Sequence, residues 1–324
     1  MSVMKFRGDR TGFYFTTFVV HLRAVDEVEL PQNSGSTFRG AFGAAFRKKV
    51  ECGVKGDCSV ECPRKDQCYY YRYFLRTRPG DKTPVRPYII EPPQGNSKVI
   101  RRGEQIRFNL TLVGESSETI PVLEILEEMG KCGLGRRRGR CFLEAVYSLG
   151  DGDPLPVYLR SSGNGCVNKP IKRYWAKFFG LPEVEVNWVG IRFLTPARLV
   201  EDDRLVSEVP FHILVHRLLS RIRDLDREYC GDKLDLPVDD LVRIAENEVK
   251  RVKQDKEQDK QEWYDWGRYS LRQGSYMKFG GVCGEIEYRG NLSPFIPYLL
   301  IGEYIHVGKQ STFGNGRFKL YILR

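Results

Sequence analysis

The sequence predicts an α+β protein built from two copies of one unit, strand–helix–strand–strand–helix–strand. Three observations carry that prediction. A chain of 324 residues holds about two domain-sized cores. The same order of hydrophobic periodicities can be read twice along it. In each copy a Gly-x-Gly-Arg sequence, Gly133-Leu134-Gly135-Arg136 and Gly314-Asn315-Gly316-Arg317, falls between the second helix and the last strand. This order is that of the ferredoxin-like fold, an antiparallel sheet of four strands with two helices on one face. The expected domains are 1–150, with a cysteine-rich insert at 51–69, and 183–324, with a glycine-rich loop at 308–316. The Gly-, Pro- and Ser-rich stretch 151–182 reads as a linker between them with some local structure.

The elements of the first copy follow from local pattern. Aromatic and β-branched residues fill 13–24, a long strand. After the break at 31–36, Ser36 or Thr37 caps a helix to Val50 whose Phe38, Phe42, Ala45 and Phe46 recur at helical spacing. Residues 86–91 form a short strand, and 105–112 alternates polar and apolar side chains, the mark of a half-buried one. A short amphipathic helix over 120–129 leads into the basic glycine loop 130–140, and 141–149 is the last strand.

The second copy opens with a strand over 183–199. Phe211, Leu214, Val215, Leu218, Ile222 and Leu225 then set a helix. A further helix is expected from Val238 to about Gln261, its charged end being a solvated face. Residues 275–279 and 282–289 read as a hairpin turned at Gly280-Gly281. A helix over 294–304, the glycine loop and a strand over 317–323 close the chain.

Bulk composition narrows the function. Hydrophobic content of 41% and charged content of 29% describe a folded, soluble chain. No apolar run approaches the ~20 residues of a membrane helix, and no signal-peptide core is visible, so no membrane partner is expected and the cytoplasm is the expected location. A net charge of +10 favours a polyanionic partner, most simply nucleic acid. The glycine loops fit that partner, because a backbone without Cβ atoms lets a phosphate approach closely. Lys309, Ser311, Thr312 and Arg317 surround the second loop with phosphate-gripping groups.

Nine cysteines argue against a disulfide framework in such a compartment. Cys52, Cys58, Cys62 and Cys68 fall within a short stretch too poor in apolar residues to bury a core. Four thiolates around one ion would organise it, with structural zinc or an iron–sulfur cluster as the occupant. Reduced surface thiols without metal are the other reading.

The residues also resemble a known family. The strings 268–273, 279–288 and 304–317, with Phe38-Arg39-Gly40-Ala41-Phe42-Gly43 and the four-cysteine insert, look like the CRISPR-associated endoribonucleases of the RAMP superfamily. The resemblance covers most of the chain and is densest at 263–324. It implies tandem ferredoxin-like domains and cleavage of CRISPR repeat RNA in the precursor CRISPR RNA. No catalytic metal is implied: the 2′-hydroxyl attacks the adjacent phosphate, leaving a cyclic or open 3′ phosphate and a 5′-hydroxyl. The alternative within the family is a non-catalytic RAMP subunit that binds guide RNA beside other CRISPR effector subunits.

That chemistry needs a base, an acid and cations for the phosphorane. Family members often carry a histidine on the first helix, where this chain has none and Ala44 stands in a comparable place. Of His21, His212, His216 and His306, only His306 sits at the glycine loop; it reads equally as a C-terminal helix cap. The expected catalytic set is His306 with Lys309, assisted by Tyr269 or Ser270, and Lys48 or the loop 34–36 is the fallback. Arg39, Arg136, Arg137, Arg138, Arg140, Arg268, Arg272 and Arg317, with Gly314 and Gly316, are the expected RNA-backbone contacts. Tyr14, Tyr269 and Phe313 are possible base-stacking residues.

Overall fold

The computed structural model describes residues 12–50, 58, 62–75, 84–95, 98–162, 165–179, 185–232, 234–252, 261–265, 267–270 and 275–323. The chain divides into two compact units, one spanning Tyr14–Arg173 and the other Tyr174–Arg324 with the segment ending at Phe13.

The first unit runs β1 (Tyr14–Ala24), β2 (Val28–Leu30), α1 (Gly35–Lys49), β3 (Tyr88–Glu91), β4 (Lys98–Ile100), β5 (Gln105–Val113), α2 (Ser116–Thr119), α3 (Val122–Cys132), β6 (Cys141–Ser148) and β7 (Leu155–Leu159). Its sheet has the order β3-β5-β1-β6-β7, and β5 and β6 flank β1 antiparallel. Within that path β3-β5-β1-β6 is the ferredoxin-like arrangement the sequence predicts. Alternation fixes the register: Phe18, Val20 and Leu22 are buried with Phe108, Leu110 and Leu112, while Gln105 and Arg107 are exposed. Phe38 of α1 packs at 5.0 Å on Phe108, and Phe42 lies 5.7 Å from Tyr88. Ile125, Leu126 and Met129 of α3 are wholly buried, so the two helices cover one face of the sheet.

The second unit holds the end of β8 (Arg173–Tyr174), then α4 (Trp175–Phe179), β9 (Trp188–Ala197), β10 (Val200–Glu201), β11 (Arg204–Leu205), α5 (Phe211–Tyr229) and α6 (Val238–Glu248). It continues with β12 (Val249–Arg251), β13 (Glu262–Tyr264), β14 (Gly267–Ser270), β15 (Ser275–Lys278), β16 (Gly281–Gly290), α7 (Ile296–Ile305) and β17 (Phe318–Ile322). The order β12-β16-β9-β17 repeats the first sheet, and β13 pairs with β16. Leu214, Leu218, Ile222 and Leu225 of α5 are buried as their spacing requires. Among the described residues no helix is long and apolar enough to cross a membrane.

Several expectations need correction. The helix expected to reach Gln261 ends at Glu248, and β12 follows at once, with Val249 buried and paired to Gly290. The expected hairpin of 275–279 with 282–289 does not form. β15 pairs with β14, and β16 pairs with β9. Neither Gly280 nor Gly281 has positive φ, which a two-residue hairpin turn demands. The local structure expected within the linker stretch 151–182 is β7, β8 and α4. Of the four insert cysteines, Cys52 lies outside the described residues, and Cys58, Cys62 and Cys68 form no disulfide among the described residues. Among the described residues no group of three or more His, Cys, Asp or Glu side chains is placed to hold a metal ion.

Candidate nucleic-acid interface

Both glycine loops are pinned in the same way, each to the chain just beyond the first strand of its own sheet. In the first unit α3 ends at Cys132, and the loop closes on itself where Leu134 and Gly139 exchange backbone hydrogen bonds of 2.9 Å. The N–H of Arg136 then donates to the carbonyl of Glu29 in β2, at 3.2 Å. That carbonyl oxygen stands 2.2 Å from where a Cβ on Gly135 would be, so only glycine fits. In the second unit Lys309 N–H donates to the Arg198 carbonyl at 2.9 Å, and Gly316 N–H to the Pro196 carbonyl at 3.0 Å. Thr195 ties the far side: its Oγ1 donates to the Gly314 carbonyl at 2.7 Å and accepts from the Arg317 N–H at 2.9 Å.

This geometry changes what the glycines are for. Glycine had been expected to leave room for a phosphate. At Gly135 and Gly316 the room is filled by the protein's own carbonyls, and Gly314 and Gly316 are buried. The loops therefore present side chains to the outside. Lys309 is exposed, Thr312 and Arg317 are half-buried, and Ser311 is buried with its Oγ donating to the Gly308 carbonyl at 2.9 Å. In the first loop Arg136, Arg137, Arg138 and Arg140 are all exposed. Arg140 grips Asp26 through Nε at 2.6 Å, and that bond holds the Asp26 carboxyl below its ordinary pKa. Arg137 faces Glu27 at 3.5 Å and Glu29 at 3.7 Å. Among the described residues Arg136 and Arg138 make no ion pair, so they are the two first-loop arginines without a carboxylate to give up.

His306 is placed by α7. It is the C-terminal cap, with φ of 61°, and its N–H donates to the Gly302 carbonyl at 2.8 Å. Its side chain is wholly buried, with Nδ1 3.2 Å from the Asn315 carbonyl. The capping bond is therefore made by the backbone, while the ring itself reaches the glycine loop. Nothing in the sequence pattern marks Arg221, whose Nε donates to the Ile305 carbonyl at 2.9 Å; burial drops its pKa to about 10. A cation there answers the negative end of α7 immediately before the loop. Thr195 and Arg198 were equally invisible, since their partners in the glycine loop lie more than a hundred residues away.

The remaining candidates are dispersed. The guanidinium of Arg39 lies 4.5 Å over the ring of Phe74, so it faces the aromatic core beside α1. Ala44 is exposed, and no histidine stands on α1. Lys48 reaches the buried carboxylate of Glu128 at 2.5 Å, which raises the lysine pKa and lowers that of the glutamate. His21 lies mid-strand in β1 opposite Arg107, and His216 is half-buried on α5; burial lowers both pKa values. Tyr14 donates to Glu118 at 2.6 Å, and Phe313 packs edge-on to Phe279 at 5.4 Å, so both rings have partners inside the protein. Arg268, Tyr269 and Ser270 are on β14, and Arg272 lies outside the described residues.

Comparison with known proteins agrees with this architecture. Residues 191–318 match the family model of the CRISPR-associated endoribonuclease Cas6, and residues 13–170 match a model described as an N-terminal domain. An uncharacterised protein of Archaeoglobus fulgidus is 26% identical over 310 residues, covering 91% of this chain and 93% of its own. A product complex of the Cas6 protein TTHB231, from Thermus thermophilus, superposes with a TM-score of 0.59 at 14% identity, over 95% of this chain and 100% of that one. A product complex of a second Cas6, TTHA0078, gives 0.53 at 16% identity, over 95% and 99%. The second unit thus matches the Cas6 family model, and the chain as a whole has the tandem ferredoxin-like fold of the solved Cas6 structures.

Proposed function

We propose that this chain cuts CRISPR repeat RNA in the precursor transcript, without a catalytic metal, to release guide RNAs. The single observation that carries the reading is the pair of equivalent loops, each held rigid by its own backbone and each turning basic side chains outward. Such loops supply phosphate contacts that fix affinity and register. In the reaction the 2′-hydroxyl loses its proton to a base, and its oxygen attacks the adjacent phosphorus. The bond to the 5′-oxygen breaks, and that oxygen takes up a proton. The products are a 2′,3′-cyclic phosphate and a 5′-hydroxyl.

Within this reading Lys309, exposed at the second loop, stabilises the charge of the phosphorane. His306, being buried, shapes the loop, and Tyr269 and Ser270 of the same unit are the remaining acid–base candidates. The partner is repeat RNA, with other CRISPR proteins as further partners. Zinc on the four insert cysteines remains part of the proposal, as a structural ion only.

The burial of His306 and the lack of a histidine on α1 favour a second reading, a subunit that binds guide RNA without cutting it. One experiment separates the two. Purified protein is incubated with repeat RNA from its own genome in EDTA, beside RNA carrying a 2′-deoxy nucleotide at the cut. Cleavage that survives EDTA and is abolished by the deoxy substitution establishes the nuclease. Tight binding of intact RNA with no product across several repeats establishes the binding subunit.

A further inference from the structure

The second glycine loop has an aromatic neighbour that none of its phosphate contacts uses. Trp263, in β13, is 42% exposed and is the one tryptophan among the described residues to be so open. Placing an indole in water forgoes the burial that usually places tryptophan inside. Its position is fixed by two contacts. Its backbone pairs with Val282 of β16. Its Nε1 lies 3.1 Å, and Asp265 Oδ1 2.4 Å, from where a Cβ on Gly280 would stand, so a bare glycine lets both side chains close over the chain there. The carbonyl of the same Gly280 accepts a bond of 3.0 Å from Arg198 Nη1, and the Arg198 carbonyl accepts the Lys309 N–H at 2.9 Å. The indole and Lys309 are thus linked, through buried Gly280 and half-buried Arg198, within the second unit.

We propose that Trp263 is a stacking platform for one unpaired RNA base beside the phosphate contacts of the glycine loop. The inference rests on the RNA-binding reading given above. Charge divides the surface into two subsites. Lys309 and Arg198 attract a phosphate, whereas exposed Asp265, which closes over the same Gly280 as the indole, repels one. A neutral, flat base satisfies the indole without meeting that repulsion, and every base has a π-face to offer. A strand crossing here lays its phosphate at Lys309 and turns the neighbouring base onto Trp263.

The test uses the full chain and repeat RNA with 2-aminopurine placed in turn at each unpaired position. Trp263→Ala weakens binding by about 5- to 100-fold, the range for loss of one stacked base, and Trp263→Phe stays near wild type. The slope of affinity against salt is unchanged in Trp263→Ala, whereas Lys309→Ala makes it shallower, because only the lysine displaces counterions. One 2-aminopurine position is quenched by wild type and Trp263→Phe and bright with Trp263→Ala. Wild-type affinity and quenching in Trp263→Ala would overturn the inference and leave the indole to a protein partner. A loss accompanied by a shallower salt slope would overturn it in favour of a phosphate role. Failure of the unaltered protein to bind any repeat RNA would instead remove the RNA-binding reading on which both loops depend.

Discussion

Replacing Gly316 with alanine is the sharpest trial of how the second loop is held. The new Cβ would stand 1.8 Å from the Val307 carbonyl oxygen and 2.9 Å from its carbon, so backbone must move. With φ at +71° the alanine also carries a left-handed penalty of about 1–2 kcal/mol. Moving the backbone strains two hydrogen bonds, from Val307 N–H to the Gly316 carbonyl and from Gly316 N–H to Pro196, each worth about 1 kcal/mol net. The sum is roughly 3–4 kcal/mol. All four tryptophans, Trp175, Trp188, Trp263 and Trp266, fall in the second unit, so urea unfolding followed by tryptophan fluorescence reports on the part of the chain that was altered. Gly40→Ala is the matched control: Gly40 lies within α1, a Cβ there meets nothing within 4 Å, and helix propensity favours alanine by about 0.5–1 kcal/mol. If Gly316→Ala unfolds at the wild-type urea midpoint and binds RNA as before, the close approach argued for this loop is wrong.

Three further outcomes follow from the same contacts. Thr195→Val removes the bond to the Gly314 carbonyl and the acceptor for the Arg317 N–H, and should cost about 1–3 kcal/mol in the same fluorescence assay. Glu128→Gln should destabilise the first unit at neutral pH, but less as pH falls. The Lys48 hydrogen bond holds the folded glutamate below its unfolded pKa of about 4.3, so its contribution is present above that value and disappears as acid protonates it. Circular dichroism melts of both proteins between about pH 7 and 3 read the converging difference. Lys309→Ala should weaken all repeat RNAs alike and lower the salt slope by about 0.7, one single-strand phosphate contact, in filter-binding titrations.

The fold was legible wherever one face of an element is buried and the other is wet. Gln105–Val113 alternates in burial as far as Leu110, beyond which both faces are buried, and α5 shows its buried stripe over five turns. β12 was not legible. It is three residues long and follows a good helix without punctuation, and what makes it a strand is Gly290 across the sheet, some forty residues later. The Gly280-Gly281 pair misled in the opposite direction. Its glycines serve close approach, Gly281 to the backbone at Ala197 and Gly280 to Trp263 and Asp265, and a sequence does not distinguish that need from a turn.

The candidate site shows the same division between what is local and what is remote. Which loops matter could be read from the repeated Gly-x-Gly-Arg, but not what their glycines face, because Glu29 and Pro196–Arg198 enter from the far ends of two folding units. Once those carbonyls are in place, a likeness between the loops appears that the motif alone does not contain. Each loop closes back on the chain beyond the first strand of its sheet, and each uses a backbone N–H one or two residues from a glycine to do so. Only the backbone device is shared. The first loop carries four exposed arginines, two of them already engaged by carboxylates, while the second carries one exposed lysine beside a threonine-tied turn. The two units share the backbone mount, and the side chains carried on it differ between them. A variant that exchanges charge on one loop should therefore alter RNA binding without altering that loop's stability, whereas a variant at Gly135 or Gly316 should alter both.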